Sequence, residues 1–557
     1  MPAARLVASE SSRCDGRVVR DGVERVSVRC CGRLAPRRRR LFALLAAIVV
    51  CTHQAVLAGA SEPPAGGDTA GIDTAGIDTA VVGSAVADPA ALDLTAVDAF
   101  VTEQMRAARV PGAALAIVRD GVIVHARGYG TADPAGHPVT ARTPFVIGSL
   151  SKSFTALAVM QLEEAGAVEL DAPVQRYLPW FRLADRDVSA RVTLRHLLHH
   201  TSAIPTAAGL RSVAAAGDVS IEQGARALAD VQVQREPGAA FEYSNANYDV
   251  LGAVVEAVSG QPYDAYVRER IFAPLGMRDS FANPEEARVA GLSTGHRTWF
   301  GRAVPAALSY PRSAVPSGFL VASAEDMGHY LNAHLQGRRA RDVAVLEPAV
   351  VAALHHPAVE TAVGTWYAMG WEVRELAGVP VSVHSGATMD FNARMVIAMD
   401  AGWGVVVLAN VSSMLHAPAL VIADGVATIL AGGDPGRERP GFAATYLVLN
   451  LVVLLVSALV VRSLVLLQRW RRRLVERPAR GSAWLWRVAL PPAADVTWPL
   501  VVLLLVPAGA GFPLWPVMLR FQPDLFGWAL VVALLTLAKG IVRTVMVVGV
   551  VRAGSST

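Results

Sequence analysis

Three apolar stretches beyond residue 440 constrain this chain more than any other feature: Ala443–Leu467, Trp498–Leu519 and Phe526–Val550. Each is long enough to cross a bilayer. In hydrocarbon every backbone N–H and C=O needs an internal partner, so such stretches fold as helices. Residues 441–557 therefore read as three transmembrane helices (about 443–467, 498–519 and 526–550). Between the first two lies QRWRRRLVERPAR, whose arginines place it on the cytoplasmic side. Lys539 and Arg543 interrupt the last stretch and either snorkel or face a partner helix.

The opposite end carries a shorter apolar run. Leu41–Cys51 follows the basic string GRLAPRRRR and precedes Ala58-Gly59-Ala60. Residues 1–60 thus read as a secretory signal peptide, or as an N-terminal anchor if it is not cleaved. Residues 61–90 contain GDTAGIDTAGIDTA, a low-complexity linker with too little apolar surface to fold.

The charge balance supports this division. Residues 1–40 hold eleven Arg against four acids, and residues 441–557 hold twelve basic residues against three. The part between holds 28 basic and 40 acidic residues. The net charge of +4 is therefore a property of the membrane flanks, and nucleic acid is not an expected partner. All four cysteines (Cys14, Cys30, Cys31 and Cys51) precede residue 61. The remainder has neither a disulfide nor a thiolate metal site to build on.

Residues 91–432 read as one α/β-type (α+β) domain. Ala91–Arg109 has helical spacing. Ala113–Val118 and Val122–Gly128 flank Arg119-Asp120-Gly121, a hairpin signal. Phe154–Glu164 reads as an amphipathic helix ending near Gly166. Val381–His384, Arg394–Met399 and Gly404–Leu408 read as adjacent strands. Strands at both ends and helices between them predict an antiparallel sheet flanked by helices, with a helical subdomain inserted.

Lysine usage is unusually selective. The chain has 49 Arg and two Lys, Lys152 and Lys539. Arginine stays charged, whereas a desolvated lysine can lose its proton. Lys152, the lysine of the globular part, is therefore a candidate for acid–base chemistry. It stands three residues after Ser149 in Gly148-Ser149-Leu150-Ser151-Lys152, so on a helix the two share a face. A serine hydroxyl needs a base to become a nucleophile, and a neutral lysine amine can be that base.

Two further elements accompany it. Tyr243-Ser244-Asn245 offers a phenol for proton relay and an amide that can hold a substrate carbonyl and orient Lys152. The same residues could equally form a turn into a helix over Tyr248–Ser259, with Asn as its cap. His384-Ser385-Gly386 ends an apolar strand. Gly386 there allows close approach of a substrate backbone, and the Ala387 amide could join that of Ser149 as an oxyanion hole. The string HLLHH (His196, His199 and His200) lacks the Glu of H-E-x-x-H, so no metal is expected.

In this order, S-x-x-K, Y-x-N and H-x-G, the chain resembles the penicillin-recognising serine enzymes. The tyrosine and histidine versions resemble class C β-lactamases, D-aminopeptidases and related esterases. VPGAALAIVRDG, VTLRHLLHHTSAIP, PSGFLVASAEDM and MGWEV carry the resemblance along residues 91–432. It implies a β-lactamase-like fold, an acyl-enzyme on Ser149, Lys152 as base and Tyr243 as proton-transfer partner. It further implies that Asn245, His384, Gly386 and Ala387 contact substrate and that no cofactor is required. Where relatives carry a cationic lysine, His384 is mostly neutral, which favours esters, amides or D-amino-acid peptides over β-lactams. Arg394 is a candidate partner for a substrate carboxylate.

The expected protein is a membrane-anchored hydrolase of a small molecule or peptide. Its partner is the bilayer, and its catalytic domain lies on the periplasmic or extracellular side of a bacterial inner membrane. Three alternatives stand beside it. One is a catalytically inactive cell-wall-binding or sensor module of the same fold. A second is a structural membrane partner working through its terminal helices. The third follows from domain order, which resembles that of membrane-bound peptidases that remove an N-acyl-D-amino-acid cap during natural-product export.

Overall fold

A computed structural model describes residues 93–214, 219–306, 310–337, 339–340, 343–344, 346–436, 441–476, 482–509 and 513–555. The signal or anchor over 1–60 and the linker over 61–90 lie outside the described residues.

Helix α1 (Leu94–Ala108) opens the fold, its first amides capped by the Asp93 carboxylate. Strands β1 (Gly112–Arg119) and β2 (Val122–Gly130) form the expected hairpin. Its turn places Asp120 and Gly121 at φ 49° and 87°. Helix α2 (Ser151–Glu164), α3 (Thr206–Ala214) and α4 (Asn245–Ser259) follow. Then come β3 (His296–Trp299), β4 (Arg302–Pro305), α5 (Val315–Gly318) and α6 (Ala324–Gln336). The chain returns through β5 (Val359–Ala362), β6 (Thr365–Tyr367), β7 (Glu372–Leu376), β8 (Val379–Ala387), β9 (Asn392–Ala398) and β10 (Trp403–Ala409). Helix α7 (Pro418–Leu430) ends this part.

The sheet is antiparallel throughout, in the order β2-β1-β10-β9-β8-β7-β6-β5. The amino-terminal hairpin thus pairs with the carboxy-terminal strands, and the helices between them form the inserted layer. Alternation along the strands divides the core in two. Ala114, Ala116, Met395 and Leu408 face the helices that follow the hairpin. Leu115, Ile117, Val396 and Val407 face α1 and α7.

Helix α2 departs from the amphipathic expectation. Residues Ser151–Met160 are all buried, because the helix packs against α4, α5 and neighbouring elements and has no solvent face along this length. Its mixed small and polar residues serve packing and hydrogen bonding. Thr155 Oγ1, for example, lies 2.6 Å from Tyr263 Oη and donates to Pro316 O at 2.7 Å.

Among the described residues, three helices are long and apolar enough to cross a membrane: α8 (Phe442–Val465), α10 (Leu485–Gly509) and α12 (Pro523–Ser555). A short basic helix, α9 (Leu467–Glu476), joins the first two, and α11 (Leu514–Phe521) joins the last two. The middle span begins and ends earlier than the apolar run 498–519 suggests. The helix runs to Gly509 and a separate one opens at Leu514 after Pro513, so Leu514–Leu519 belongs to a separate element. Lys539 and Arg543 meet a partner helix: Asp495 of α10 lies 3.1 Å from Lys539 Nζ and 2.6 Å from Arg543 Nη1. Lys539 also donates to Ser463 Oγ of α8 at 2.9 Å. These charges tie all three spans together.

Candidate active site

Ser149 lies in the 3-10 turn Gly148–Leu150 that leads into α2. Gly148 has φ +57°, and a Cβ there would stand 2.5 Å from Ala387 N, so only glycine fits. This contact sets the end of β8 against the turn that bears Ser149. Ser151 stitches the turn from within: its Oγ donates to Gly148 O at 2.7 Å and accepts from Leu320 N at 3.1 Å.

Lys152 lies one turn along α2 and is fully buried. Its Nζ is 3.1 Å from Ser149 Oγ, 2.7 Å from Asn245 Oδ1 and 2.6 Å from Ser317 O. It also stands over the Tyr243 ring, 4.8 Å from the centroid. Burial pushes the Lys152 ammonium down to about 7, against the opposing field of Asp249. Two of its three neighbours are carbonyl oxygens, which accept hydrogen bonds and cannot give them. A neutral amine fits this pattern: two N–H groups serve the carbonyls and the lone pair faces the Ser149 hydroxyl.

Burial raises the ionisation of the Tyr243 phenol above the ordinary tyrosine range. The Ser149 hydroxyl acts on the phenol and favours its ionised form, which opposes burial only in part. The phenol is therefore protonated at neutral pH. Asn245 is the first residue of α4, and its side chain reaches Lys152. Ser244 takes the N-cap position without a side-chain cap bond, so the amide that could have capped the helix serves the lysine. The helix thus starts at Asn245 and not at Tyr248, and Asn245 is its first residue and not its cap.

Strand β8 brings in His384, Gly386 and Ala387. His384 is buried, and its Nδ1 lies 2.8 Å from Ser385 O, which puts the ring proton on Nδ1. Nε2 then accepts from Tyr367 Oη at 3.5 Å. Burial, with the Lys152 charge nearby, pushes the imidazole down to about 3, so it is neutral. β7 pairs with β8 only as far as Val383, so residues 384–387 present an open edge on that side. At Gly386 the close approach comes from the chain itself: a Cβ would stand 2.1 Å from Ile147 O.

Arg394 does not join the site. It pairs across from Ser385, and successive strand residues point to opposite faces. His384 is on the face of Ser149, and Arg394 is on the face of α7. There its guanidinium is bound by Asp424 at 2.9 Å and by Ser385 Oγ at 2.8 Å. The histidines of HLLHH serve packing and capping. His200 Nδ1 accepts from Ser244 N at 3.2 Å and lies 2.8 Å from Asn247 Nδ2, which steadies the segment carrying Tyr243 and Asn245. His196 closes a capping box with Thr193.

Sequence reasoning missed Ser317 O, Asp249 and Tyr367. Ser317 belongs to the string PSGF, which carries the resemblance but has no reactive side chain in use, since its contribution is a backbone carbonyl. Asp249 and Tyr367 act through space and have no local motif.

Residues 97–421 match the family described as beta-lactamase. The chain belongs to the beta-lactamase family. Among curated relatives it is 36% identical over 294 residues to penicillin-binding protein 4 of Amycolatopsis lactamdurans, covering 50% of this chain and 75% of that one. It is 25% identical to protein flp of Staphylococcus aureus, covering 58% of this chain and 64% of that one. Among solved structures, the octameric penicillin-binding protein homologue from Pyrococcus abyssi superimposes with a TM-score of 0.56 at 28% identity, covering 63% of this chain and 80% of that one. EstCE1, described as a hydrolase with promiscuous acyltransferase activity, gives 0.52 at 24% identity, covering 60% and 98%. The family's fold accounts for the sheet and its inserted helices, while the three apolar helices lie beyond the matched residues.

Proposed function

We propose that this beta-lactamase-family chain is a membrane-anchored serine hydrolase that works through an acyl-enzyme on Ser149. The observation that carries the reading is the placement of Lys152: fully buried, two carbonyl acceptors on its Nζ, and Ser149 Oγ at 3.1 Å. Ser149 Oγ bonds to the substrate carbonyl carbon while its proton passes to Lys152 Nζ. The amides of Ser149 and Ala387 receive the oxyanion. As the C–O or C–N bond breaks, the proton moves through Lys152 and the Tyr243 phenol to the leaving group. Water, deprotonated by the same pair, then releases the acid and restores Ser149.

Esters, amides and D-amino-acid peptides suit this site better than β-lactams. His384 is neutral and Arg394 is bound to Asp424, so neither position offers a free charge to a substrate carboxylate. An inactive binding or sensor module would have no use for a buried lysine whose ammonium is brought down to about 7 beside a serine hydroxyl. The three spans that follow the domain support the narrower reading of a peptidase acting on an N-acyl-D-amino-acid cap. The basic helix α9 between α8 and α10 supports a cytoplasmic position for that loop, and hence an extracytoplasmic catalytic domain.

The test is intact mass of the full-length protein after exposure to a β-lactam, a short-chain ester and an N-acyl-D-aminoacyl amide. The expected result is an adduct or turnover with the ester or the amide, absent from Ser149→Ala. No Ser149-dependent reaction with any donor would overturn the proposal.

A further inference from the structure

A chain of contacts that the reaction does not use joins the active site to the membrane helices. The first turn of α3 grips the segment bearing Tyr243 and Asn245. Thr206 Oγ1 donates to Tyr243 O at 2.6 Å, and Thr206 N donates to the Glu242 carboxylate at 2.9 Å. Ser244 Oγ donates to Pro205 O at 3.0 Å. Gly209 lies so close to the start of α4 that a Cβ would stand 2.5 Å from Asn245 N. Helix α3 thus backs directly onto two site residues.

The neighbour of α3 on another side is α11, the short helix between the last two spans. Val517 and Met518 of α11 are buried, and Phe521 packs against the core cluster that also contains the catalytic helix. Leu514 and Trp515 remain half-buried. Two spans, α8 and α10, separate the catalytic domain from α11. Whichever way the chain is inserted, α11 therefore emerges on the domain's own side of the bilayer. Direct bonds agree: Phe300 N donates to Asp524 Oδ2 at 2.7 Å, Met414 N to Gln522 Oε1 at 3.2 Å, and Asn450 Nδ2 to Phe300 O at 3.2 Å. A short apolar helix with a tryptophan, joining two spans, belongs at the lipid–water boundary. Helix α3, which backs the segment bearing Tyr243 and Asn245, is therefore about one helix diameter, roughly 10 Å, from that boundary.

We infer that the cleft is served from the bilayer surface. Its acyl donor is an amphiphile anchored by an apolar chain in the leaflet on the domain's side, with the scissile ester or amide at headgroup level. This rests on the hydrolase reading above. The bond changes are those already given; what the membrane adds is a high local concentration of donor beside α3. A diffusing soluble donor has no need of such a junction. A donor that cannot leave the leaflet can reach Ser149 only if the cleft lies this close to the lipid.

The experiment compares two donors with the same scissile group, one short-chain and soluble, one carrying a fourteen-carbon chain. Full-length protein is reconstituted in phosphatidylcholine vesicles. At constant bulk amount, diluting the long-chain donor about tenfold with inert lipid is expected to lower its turnover about tenfold. Val517→Asn and Phe521→Ala, which loosen α11 from the domain, are expected to lower long-chain turnover several-fold and leave short-chain turnover unchanged. Short-chain turnover also reports that each variant is folded. A long-chain rate that follows bulk amount and ignores dilution in the bilayer would overturn the inference. So would turnover of the soluble donor alone. Turnover of neither donor would overturn the hydrolase reading, and this inference with it.

Discussion

The two lysines of this chain stand in opposite environments, and the contrast shows how neighbours decide what a lysine does. Both are buried. Lys152 has two carbonyl oxygens and a hydroxyl around its Nζ, with Asp249 acting on it only as a more distant field. Lys539 has a carboxylate, Asp495, at 3.1 Å, and that carboxylate is shared with Arg543. Neutral acceptors leave the desolvation penalty of an ammonium largely unrelieved, so Lys152 can give up its proton near neutral pH. A carboxylate in contact pairs with Lys539, which becomes a clamp between spans. One environment makes a base, the other a structural tie.

The largest effects are expected at Ser149 and Lys152. Ser149→Ala and Lys152→Ala should each lower kcat/KM by about 10³-fold or more. Lys152→Arg should not rescue activity, because a guanidinium keeps its proton. Lys539→Arg, by contrast, should keep both fold and turnover, measured on the same soluble donor. A fully active Lys152→Arg protein would refute the base assignment.

Tyr243→Phe removes the phenol and leaves the ring that packs over Lys152. We expect kcat to fall about 10²-fold, with less change in KM. An unaltered kcat would remove Tyr243 from proton transfer. Asp495→Asn leaves Lys539, which is buried, and Arg543, which is half-buried, with one neutral partner. It should lower the stability of the helical bundle by about 3 kcal/mol, read as an earlier thermal transition in detergent, while kcat/KM on a soluble donor is maintained.

The smallest effect sharpens the contrast. Lys152 must be unprotonated to act, so kcat/KM should rise with pH through about 7 and level off above it. Asp249 stabilises the ammonium and raises that midpoint. Asp249→Asn should therefore move the rising limb to lower pH. A shift to higher pH, or no pH dependence near 7, would contradict the account. The stability linkage has a related sign. The unfolded chain binds the Lys152 proton up to its ordinary range near 10.5, while the folded chain releases it near 7. Between these values the unfolded state holds more protons, so this group makes stability rise with pH there.

Much of the site was legible where its geometry is local. Ser149 and Lys152 sit three residues apart at the start of a helix, and helical periodicity alone puts them on one face. The Asn245 contact spans 93 residues and was legible only through the order of motifs in related chains. Arg394 shows the opposite case. The sequence offers it as a candidate carboxylate partner, but its face depends on strand register against Ser385, which no local pattern supplies. The middle span shows a third case. Hydropathy finds the apolar run, but its end, Leu514–Phe521, is a separate helix.

The order of residues was enough to read three stretches long and apolar enough to cross a bilayer, an antiparallel sheet closed by the two ends of the globular domain, and a serine–lysine pair on one helical face. These follow from short-range physics: hydrocarbon demands internal hydrogen bonds, and helices and strands repeat with set periods. Tertiary structure alone decided which lysine is held near neutrality, which side of the sheet Arg394 faces, and that α11 rests against the helix behind Tyr243 and Asn245. Each of those depends on groups far apart in the chain, brought together by packing. Burial and charge act through space, and the order of residues does not record distance through space.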